Sequence, residues 1–410
     1  MKKDLLNLLD NVQEHGDETP TSERYLLIDG LNLFFRNFSA INTVNSNGIH
    51  IGGLGGFFRS LGALIRTIQP TQVYMVFDGP GSSNSRKNII PEYKSNRNVS
   101  RITKHELFDT LEEEDDSKVD QITRIIQYLQ TLPVKTVALP QVEADDVIAY
   151  LSDTLPTKPE DRVFIVSSDK DYLQLVSEQV IVYRPIEKEY YTTDTVKEKF
   201  NVTPHNFLLY KLLMGDNSDG VTGIKGLGPK GLFKRFPEIS EKDLTLDDLV
   251  DIAETKLKEH VIYARVLHDI PLLEDKHRVM DLSNPMMSDK DKMFIDKFVE
   301  KTHLNFYPSE FVEMCNEDQL GNLIRNTEFW VQDIFKGLLE NQQIKVLTLQ
   351  SIDEYGPSFQ MKVISSLLTH KEFLQNINDV LSDEYFSNPS HKWVINEIIG
   401  YYEKYHTTIS

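Results

Sequence analysis

Acidic side chains follow the apolar segments in the first half of the sequence, close to the point where each segment ends. Asp29 follows residues 25–28 (YLLI), and Asp78 follows residues 73–77 (VYMVF). Further acidic groups lie in three more segments, at Glu143, Asp145 and Asp146, at Asp169 and Asp171, and at Asp216 and Asp219. Parallel strands end at one edge of a sheet, where open α/β proteins bind their ligands. The sequence therefore predicts that these groups converge there.

Carboxylates that converge repel one another and raise each other's pKa. Hard divalent cations with oxygen ligands, Mg²⁺ first and Mn²⁺ as a substitute, relieve that repulsion. Two such ions about 4 Å apart activate a water and stabilise the leaving oxygen in hydrolysis at phosphorus. Any single acid in this set is more often a turn residue or a helix cap. The prediction of a two-metal site therefore depends on the whole set.

A long polar insertion at residues 84–118 lies between one predicted strand and the next helix. Its side chains suited to nucleic-acid binding are Arg86, Lys87, Tyr93, Lys94, Arg97 and Arg101. A cationic segment with an aromatic residue binds single strands through charge and stacking, and Lys94 or Arg97 on one helix face would set a cation beside a scissile phosphate. The acidic run 112–116 is predicted to be a solvated tip. A solvated surface loop is the alternative for the whole insertion.

A glycine-rich loop at residues 223–231 follows Asp216 and Asp219 directly. Gly223, Gly226 and Gly228 allow the backbone to approach a phosphate closely. The cationic side chains around them are Lys225, Lys230, Lys234 and Arg235. The loop predicts a helix–turn–helix device that holds duplex backbone without reading bases. The alternative is that these glycines only terminate a helix and have no role in binding.

Strands and helices alternate in the first half and must position these groups. Short apolar runs at 25–28, 73–77, 136–139, 163–166 and 180–183 are predicted strands. Apolar residues at helical spacing predict helices over 57–68 and 119–132. The fold class is therefore α/β, a mainly parallel sheet with helices on both faces, followed by a helical second half.

Composition limits the class of protein. The 410 residues carry 44 basic and 63 acidic side chains, which gives a net charge of −19. Such a charge argues against nucleic-acid binding unless the basic side chains are concentrated in local patches. Residues 84–104 and 223–236 are such patches. Cys315 is the single cysteine and excludes a disulfide framework. Without an apolar run of about 20 residues or a secretory signal, a reducing cytoplasmic setting is predicted, in a host bacterium if a phage encodes the chain.

The predicted organisation along the chain has six parts. They are a tail at 1–22, a core at 23–200 with the insertion 84–118, a duplex-binding subdomain at 201–275, a helical subdomain at 276–340, a linker at 341–357 and a small helical module at 358–410.

The order and spacing of these motifs over about residues 24–240 resemble the flap endonuclease and 5′-3′ exonuclease family, and most closely its phage ribonuclease H branch. The motifs are Asp29-Gly-Leu-Asn with Arg36, Phe77-Asp78-Gly, Glu143-Ala-Asp145-Asp146, Ser168-Asp169-Lys-Asp171-Tyr, Gly215-Asp216-Asn-Ser-Asp219-Gly and Gly223-Ile-Lys-Gly-Leu-Gly228. The resemblance implies a PIN-like nuclease core and a helix–hairpin–helix-type subdomain.

The resemblance also implies roles for individual residues. One metal site would use Asp29, Asp78, Glu143, Asp145, Asp146 and Asp169, and a second would use Asp171, Asp216 and Asp219. Lys94 and Arg97 would be catalytic cations in a helical arch formed by residues 84–118. Arg36 would contact nucleic acid, and the loop 223–231 would grip duplex, with K⁺ as a further expected ion.

The implied activity is a monomeric 5′-nuclease that acts on RNA primers, RNA–DNA hybrid and branched or flapped DNA in replication. The alternatives are a non-catalytic DNA-binding scaffold of the same fold and a PIN-type ribonuclease that acts on RNA alone. The last 55 or so residues weakly resemble the N-terminal helical domain of replicative helicases, which implies docking to replisome proteins. A generic helical appendage is the alternative for that segment.

Overall fold

The computed structural model describes residues 22–94, 102–216, 221–301, 304, 306–342, 356–369, 371, 374 and 389–405. The chain divides into two compact units, Met1–Lys345 and Val346–Ser410. The division falls inside the segment predicted to be a linker, 341–357.

A six-stranded sheet lies at the centre of the larger unit. Its strands are β1 (Arg24–Asp29), β2 (Gln72–Asp78), β3 (Lys135–Leu139), β4 (Arg162–Val166), β5 (Val180–Arg184) and β6 (Glu189–Tyr191). Their order in the sheet is β3-β2-β1-β4-β5-β6, with β6 antiparallel to β5 and all other pairs parallel. The mainly parallel sheet is therefore confirmed. The sequence analysis missed β6 because its three residues form no apolar run.

Helices cover both faces of this sheet. In the first half they are α1 (Gly30–Ala40), α2 (Gly52–Ile68), α3 (Asn84–Ile89), α4 (Leu111–Gln130), α5 (Ala144–Thr154), α6 (Thr193–Phe200) and α7 (Phe207–Met214), with a 3₁₀ turn at Asp171–Leu175. A two-stranded hairpin, β7 (Gly215–Asp216) and β8 (Val221–Thr222), then leads to a helical series. The series consists of α8 (Pro229–Arg235), α9 (Glu238–Glu241), α10 (Leu246–Thr255), α11 (Val261–His268), α12 (Ile270–Met280), α13 (Asp289–Lys301), α14 (Pro308–Glu317) and α15 (Thr327–Gln342). No helix within the described ranges is long and apolar enough to span a bilayer.

Two hydrophobic cores lie on opposite faces of the sheet. Alternate residues of β1 divide between them, because successive side chains of a strand point to opposite faces. Leu27 enters the core that α5 and α7 cover, while Leu26 and Ile28 enter the core that α1, α2 and α4 cover. Burial on both faces explains why the strands are continuous apolar runs rather than alternating ones.

Helices α14 and α15 complete the second of these cores. Phe311 lies edge-on to Phe58 at 5.5 Å between ring centroids and stacks on Trp330 at 5.8 Å. A polar contact supports this packing, since Asp318 accepts hydrogen bonds from Arg124 at 2.7 Å and from the Tyr128 hydroxyl at 2.8 Å. Residues 306–342 therefore share the core of the sheet, whereas the sequence analysis assigned 276–340 to a helical subdomain.

The acidic run 112–116 is the first turn of α4, and the prediction of a solvated tip is wrong for Glu114. Thr110 and Glu113 form a capping box at the start of this helix. Glu114 is fully buried and accepts hydrogen bonds from the Thr103 backbone N–H at 2.7 Å and the Thr103 hydroxyl at 2.6 Å. Acidic residues favour a helix N-terminus because they complement its dipole.

The smaller unit is described over α16 (Gly356–Thr369) and α17 (Pro389–Tyr405). Its core consists of Ile364, Leu367, Leu374, Ile395 and Ile398. Residues 382–386 and 406–410, on which the helicase resemblance depends, lie outside the described residues. That resemblance stays a prediction.

The burial of Glu114 generates a test by pH. Burial alone would raise the pKa of Glu114, but hydrogen bonds from Thr103, Lys118 and the Lys104 backbone N–H outweigh it and lower the pKa to about 2. Because this folded-state pKa lies below that of the unfolded chain, the ionised carboxylate stabilises the fold above about pH 4.3. That stabilisation is lost as the pH falls towards 2.

We expect Glu114→Gln to lower the free energy of unfolding by about 2 kcal/mol at pH 7, the scale of a lost charged hydrogen bond. The measurement is urea denaturation followed by circular dichroism at pH 7, 5 and 3. The difference from wild type should shrink between pH 5 and pH 3. Glu112→Gln, at an exposed position of the same turn, is the control and should have little effect. A difference for Glu114→Gln that stays constant with pH would contradict the assignment.

Candidate active site

Two of the predicted acids end adjacent parallel strands. Asp29 is the last residue of β1 and the N-cap of α1, where its carboxylate accepts the Asn32 backbone N–H at 2.9 Å. Asp78 is the last residue of β2, and its carboxylate accepts the backbone N–H of Ala144, the first residue of α5, at 2.7 Å. Both carboxylates therefore sit at helix N-termini, where the helix dipole favours negative charge.

Two further acids lie next to this pair. Asp145 occupies the first turn of α5, and its carboxylate accepts the Tyr172 hydroxyl at 2.5 Å. Asp169 follows β4, and its backbone N–H donates to the Ser167 hydroxyl at 3.1 Å. That hydroxyl lies 3.3 Å from the Asp29 carboxylate. We call Asp29, Asp78, Asp145 and Asp169 the acidic quartet.

The electrostatics show that the quartet is crowded. Burial, together with the charges of Asp78 and Asp169, raises the pKa of Asp29 to about 7. Burial also raises the pKa of Asp145, and the charges of Asp169 and Asp29 add to the effect. Among the described residues, no lysine, arginine or histidine forms an ion pair with any member of the quartet. The nearby charge of Lys94 lowers the pKa of Asp145, which partly offsets the crowding.

Glu143 differs from the quartet because protein cations surround it. Its Oε2 accepts the Lys94 ammonium at 2.8 Å and the Tyr93 hydroxyl at 3.2 Å, and Arg86 lies 3.4 Å away. Burial would raise the pKa of Glu143, but Arg86 and Lys94 outweigh it and lower the pKa. Glu143 therefore anchors the turn that contains Tyr93 and Lys94 to the start of α5.

Asp146 and Arg86 form a buried ion pair, which the sequence analysis did not foresee. The guanidinium donates to both carboxylate oxygens at 2.7 and 2.9 Å, and its Nε donates to the Val279 carbonyl at 2.8 Å. Arg86 is 3% exposed and Asp146 is 1% exposed. The Met286 backbone N–H also donates to Asp146. The buried guanidinium needs a counter-charge, and Asp146 supplies it with both of its carboxylate oxygens. The structure thus contradicts the prediction that Arg86 contacts nucleic acid.

The other predicted residues of the insertion divide into four groups. Tyr93 is buried in the first core, so it does not offer a free face for stacking on a base. Lys94 has a left-handed backbone, with φ 55°. Lys94 itself is therefore not in the helical conformation that the sequence analysis expected it to share with Arg97. Lys87 is exposed at the surface of α3, as expected for a nucleic-acid contact. Arg97 and Arg101 lie outside the described residues.

The second predicted metal site is described only in part. Asp171 pairs with the ammonium of Lys211, which lies in the last turn of α7. The sequence analysis missed Lys211, although a single lysine in the apolar segment FLLYKLLM was a usable signal. Asp216 is placed by its backbone in β7, and Asp219 lies outside the described residues.

The donor set fits hard divalent cations by its chemistry. Among the described side chains, no group of three or more His, Cys, Asp and Glu is arranged as a ready-made metal cluster. Burial, together with the charges of neighbouring carboxylates, raises the pKa of Asp29 and Asp145, and a bound divalent cation would favour their ionised form. Oxygen-only ligands of this kind suit Mg²⁺ or Mn²⁺.

The glycine-rich loop joins α7, the hairpin and α8, as expected. Gly223 packs against the backbone of Met214, where an added Cβ would lie 2.4 Å from the Met214 carbonyl carbon. Gly226 has φ 82°, which favours glycine. Gly228 is the N-cap of α8. The side chains of Lys225, Lys230 and Lys234 are exposed, whereas Arg235 is half-buried and contacts the Gly231 carbonyl and His260.

Arg36 lies on α1, and none of the contacts given above for the acidic quartet involves it. It lines a cavity of about 130 Å³ together with Ser60, Thr67, Tyr183 and Tyr190. Burial lowers the pKa of Arg36, and its Nε has no hydrogen-bond partner among the described residues. An anionic group is a suitable partner for this nitrogen.

Comparisons with known proteins agree with this geometry. A family model described as the 5′-3′ exonuclease, N-terminal resolvase-like domain, matches residues 24–201. The flap endonuclease of bacteriophage T5, solved as a pseudo-enzyme–product complex with DNA and metal ions, has a TM-score of 0.51 and 19% sequence identity. That match covers 77% of this chain and 99% of the phage protein. It shows a shared fold.

Two curated relatives are similar in sequence. The 5′-3′ exonuclease of Aquifex aeolicus (strain VF5) is 37% identical over 205 residues, which span 50% of this chain and 65% of that protein. The 5′-3′ exonuclease of Bacillus subtilis (strain 168) is 30% identical over 238 residues, which span 56% of this chain and 74% of that protein. On this evidence the chain belongs to the 5′-3′ exonuclease family.

Proposed function

We propose that the protein is a divalent-metal-dependent 5′-nuclease that hydrolyses phosphodiesters of RNA primers and 5′ DNA flaps during replication. The observation that carries the proposal is the acidic quartet, in which four carboxylates crowd one sheet edge without an ion pair among the described residues. Such an arrangement is costly unless divalent cations neutralise it.

The residues proposed to hold a first ion, Mg²⁺ or Mn²⁺, are the quartet together with Glu143. Asp171, Asp216 and Asp219 are proposed for a second ion. When bound, such ions lower the pKa of a water and neutralise charge on the leaving oxygen. The protein's own contribution is to orient these oxygens, since Tyr172 donates to Asp145 and Ala144 donates to Asp78.

Lys94 is proposed to be a catalytic cation beside the scissile phosphate. Its ammonium lies 2.8 Å from Glu143 and close enough to Asp145 to lower the pKa of that carboxyl. A positive charge at the border of the quartet can stabilise negative charge that develops on a phosphate in the transition state. Arg97 is proposed to share this role.

The glycine-rich loop and α8 are proposed to grip the duplex part of the substrate, with K⁺ bound at the loop. Lys225, Lys230 and Lys234 are exposed on this segment, and such side chains contact phosphates without reading sequence. Lys87 and Arg36 are proposed as further nucleic-acid contacts. The phage T5 flap endonuclease was solved with DNA and metal ions, which supports DNA as a partner of this chain.

The two alternative functions remain distinguishable. In a non-catalytic DNA-binding scaffold, the repulsion among the quartet carboxylates would destabilise the fold without contributing to function. A ribonuclease that acts on RNA alone would not need a segment that binds duplex DNA. A monomeric enzyme in the cytoplasm, with the small C-terminal unit docking replisome proteins, remains the proposed setting.

The first test is the metal requirement. A 5′-labelled DNA flap and an RNA-primed DNA duplex are incubated with the full chain in Mg²⁺, Mn²⁺ or EDTA, and the products are resolved on a gel. We expect cleavage of both substrates with either ion and none with EDTA. Binding without cleavage would favour the scaffold, and cleavage of the RNA primer without cleavage of the DNA flap would favour the ribonuclease.

The second test removes one quartet carboxylate at a time. We expect Asp145→Asn and Asp169→Asn each to lower kcat for flap cleavage by at least about a hundredfold, since even loss of an outer partner of a metal ligand costs up to that much. Flap affinity, measured by fluorescence anisotropy in Ca²⁺, should stay within about threefold because each carboxylate is proposed to act on the metal rather than on DNA. Asp153→Asn, at an exposed position of α5, is the matched control. Unchanged turnover in the quartet variants would remove their catalytic assignment.

The third test separates chemistry from binding at Lys94. We expect Lys94→Met to slow single-turnover cleavage about a hundredfold or more, the scale of losing one charge-stabilising donor, and to weaken flap binding less than about threefold. Lys87→Met is the control for a surface cation. If Lys94→Met loses affinity and rate to the same extent, Lys94 is a positioning residue instead.

A further inference from the structure

Lys211 is a buried lysine that pairs with one of the proposed metal ligands. Its side chain is 6% exposed, and that of its partner Asp171 is 14% exposed. The helix α7 that carries it is otherwise apolar on its buried side, with Phe207, Leu208, Leu209, Leu212 and Leu213 in the interior. The lysine is therefore held in place by its helix and reaches Asp171 from the protein interior.

A buried ammonium loses its hydration and needs hydrogen-bond acceptors or a negative charge in compensation. Asp171 supplies that charge, and its backbone N–H also donates to the Asp169 carboxylate at 2.9 Å. The ion pair thus adjoins the acidic quartet directly. The quartet itself makes no ion pair within the described ranges, so the two halves of the proposed metal centre differ in how their charge is balanced.

We infer that Lys211 is an internal competitor of a divalent cation at Asp171, so that an ion that takes Asp171 as a ligand binds more weakly than an ion at the quartet. A divalent cation that takes Asp171 as a ligand must displace the Lys211 ammonium or share the carboxylate with it. If they share the carboxylate, the cation and the ammonium repel each other. Among the described residues, no cation forms an ion pair with a quartet carboxylate, and Lys94 pairs with Glu143 beside them. This inference rests on the proposed metal-dependent function.

The consequence is ordered loading of the two sites. The quartet fills at low cation concentration, while Asp171 remains neutralised by Lys211 until the concentration rises. Close charge pairs in proteins have coupling energies large enough to change affinity at least about tenfold. Lys211 is on this account a residue that sets metal affinity, and its substitution should act on the weaker site alone.

The test measures Mn²⁺ binding to the full chain without substrate, by isothermal titration calorimetry and by the electron paramagnetic resonance signal of free Mn²⁺. Wild type should show a stronger and a weaker class of site. Lys211→Met keeps an apolar chain in the buried position and removes the charge, so the weaker class should tighten at least about tenfold. The stronger class should change less than about twofold.

Lys276→Met is the matched control. Lys276 is also buried, but its ammonium donates to the Thr222 carbonyl at 2.7 Å rather than to a carboxylate. Its substitution should leave both classes unchanged. A tightening of the weaker class in Lys276→Met as well would show a general effect of removing buried charge and would overturn the specific role of Lys211.

Two further variants keep the test decisive if Lys211→Met does not fold, as judged by circular dichroism. Lys211→Gln is neutral but can still donate a hydrogen bond to Asp171, and it should also tighten the weaker class. Lys211→Arg keeps the charge and should leave that class weak. Unchanged or weaker Mn²⁺ binding in the neutral variants overturns the inference.

The outcome also separates this inference from the proposed function. If wild type binds Mn²⁺ in two classes and the neutral Lys211 variants match it, only the role of Lys211 fails. If neither wild type nor any variant binds Mn²⁺, the proposed metal-dependent nuclease and the role of Lys211 fail together.

Discussion

The mutual repulsion of carboxylates at the carboxyl edge of one sheet is the constraint on which the rest of this protein depends. Asp29 and Asp145 are the clearest case, because burial and neighbouring charges raise the pKa of both. Within the described residues, protein cations balance Glu143, Asp146 and Asp171 but leave the quartet without an ion pair. This crowding is the reason to expect divalent cations at this edge.

The surrounding structure holds these acids close together in spite of the repulsion. Two hydrophobic cores on opposite faces fix the parallel strands whose ends carry Asp29 and Asp78. Helix N-termini and single hydrogen-bond donors then partly compensate the charge, as Ala144 does for Asp78 and Tyr172 does for Asp145. Loss of either donor would remove a hydrogen bond from a carboxylate of this crowded group.

The insertion after β2 is tied to the same edge by ion pairs. Lys94 reaches Glu143, and Arg86 joins α3 to α5 through Asp146 and to α12 through the Val279 carbonyl. At the other end of the insertion, the carboxylate of Glu114, in the first turn of α4, accepts a hydrogen bond from the Thr103 backbone N–H. The described ends of the insertion are therefore attached to the folded core, and Lys94 is held beside Glu143.

The sequence by itself determined the sheet, its two covered faces and the acids at its edge, because strand periodicity and the residue after each strand are local properties of the chain. It also indicated the glycine-rich loop through residue types that tolerate a positive φ. Only the tertiary structure decided which acids are already neutralised. Arg86 and Asp146 are 60 residues apart, and Lys211 and Asp171 are 40 apart. No local pattern encodes such partners, since the pairing of buried charges depends on which helices the folded cores bring together.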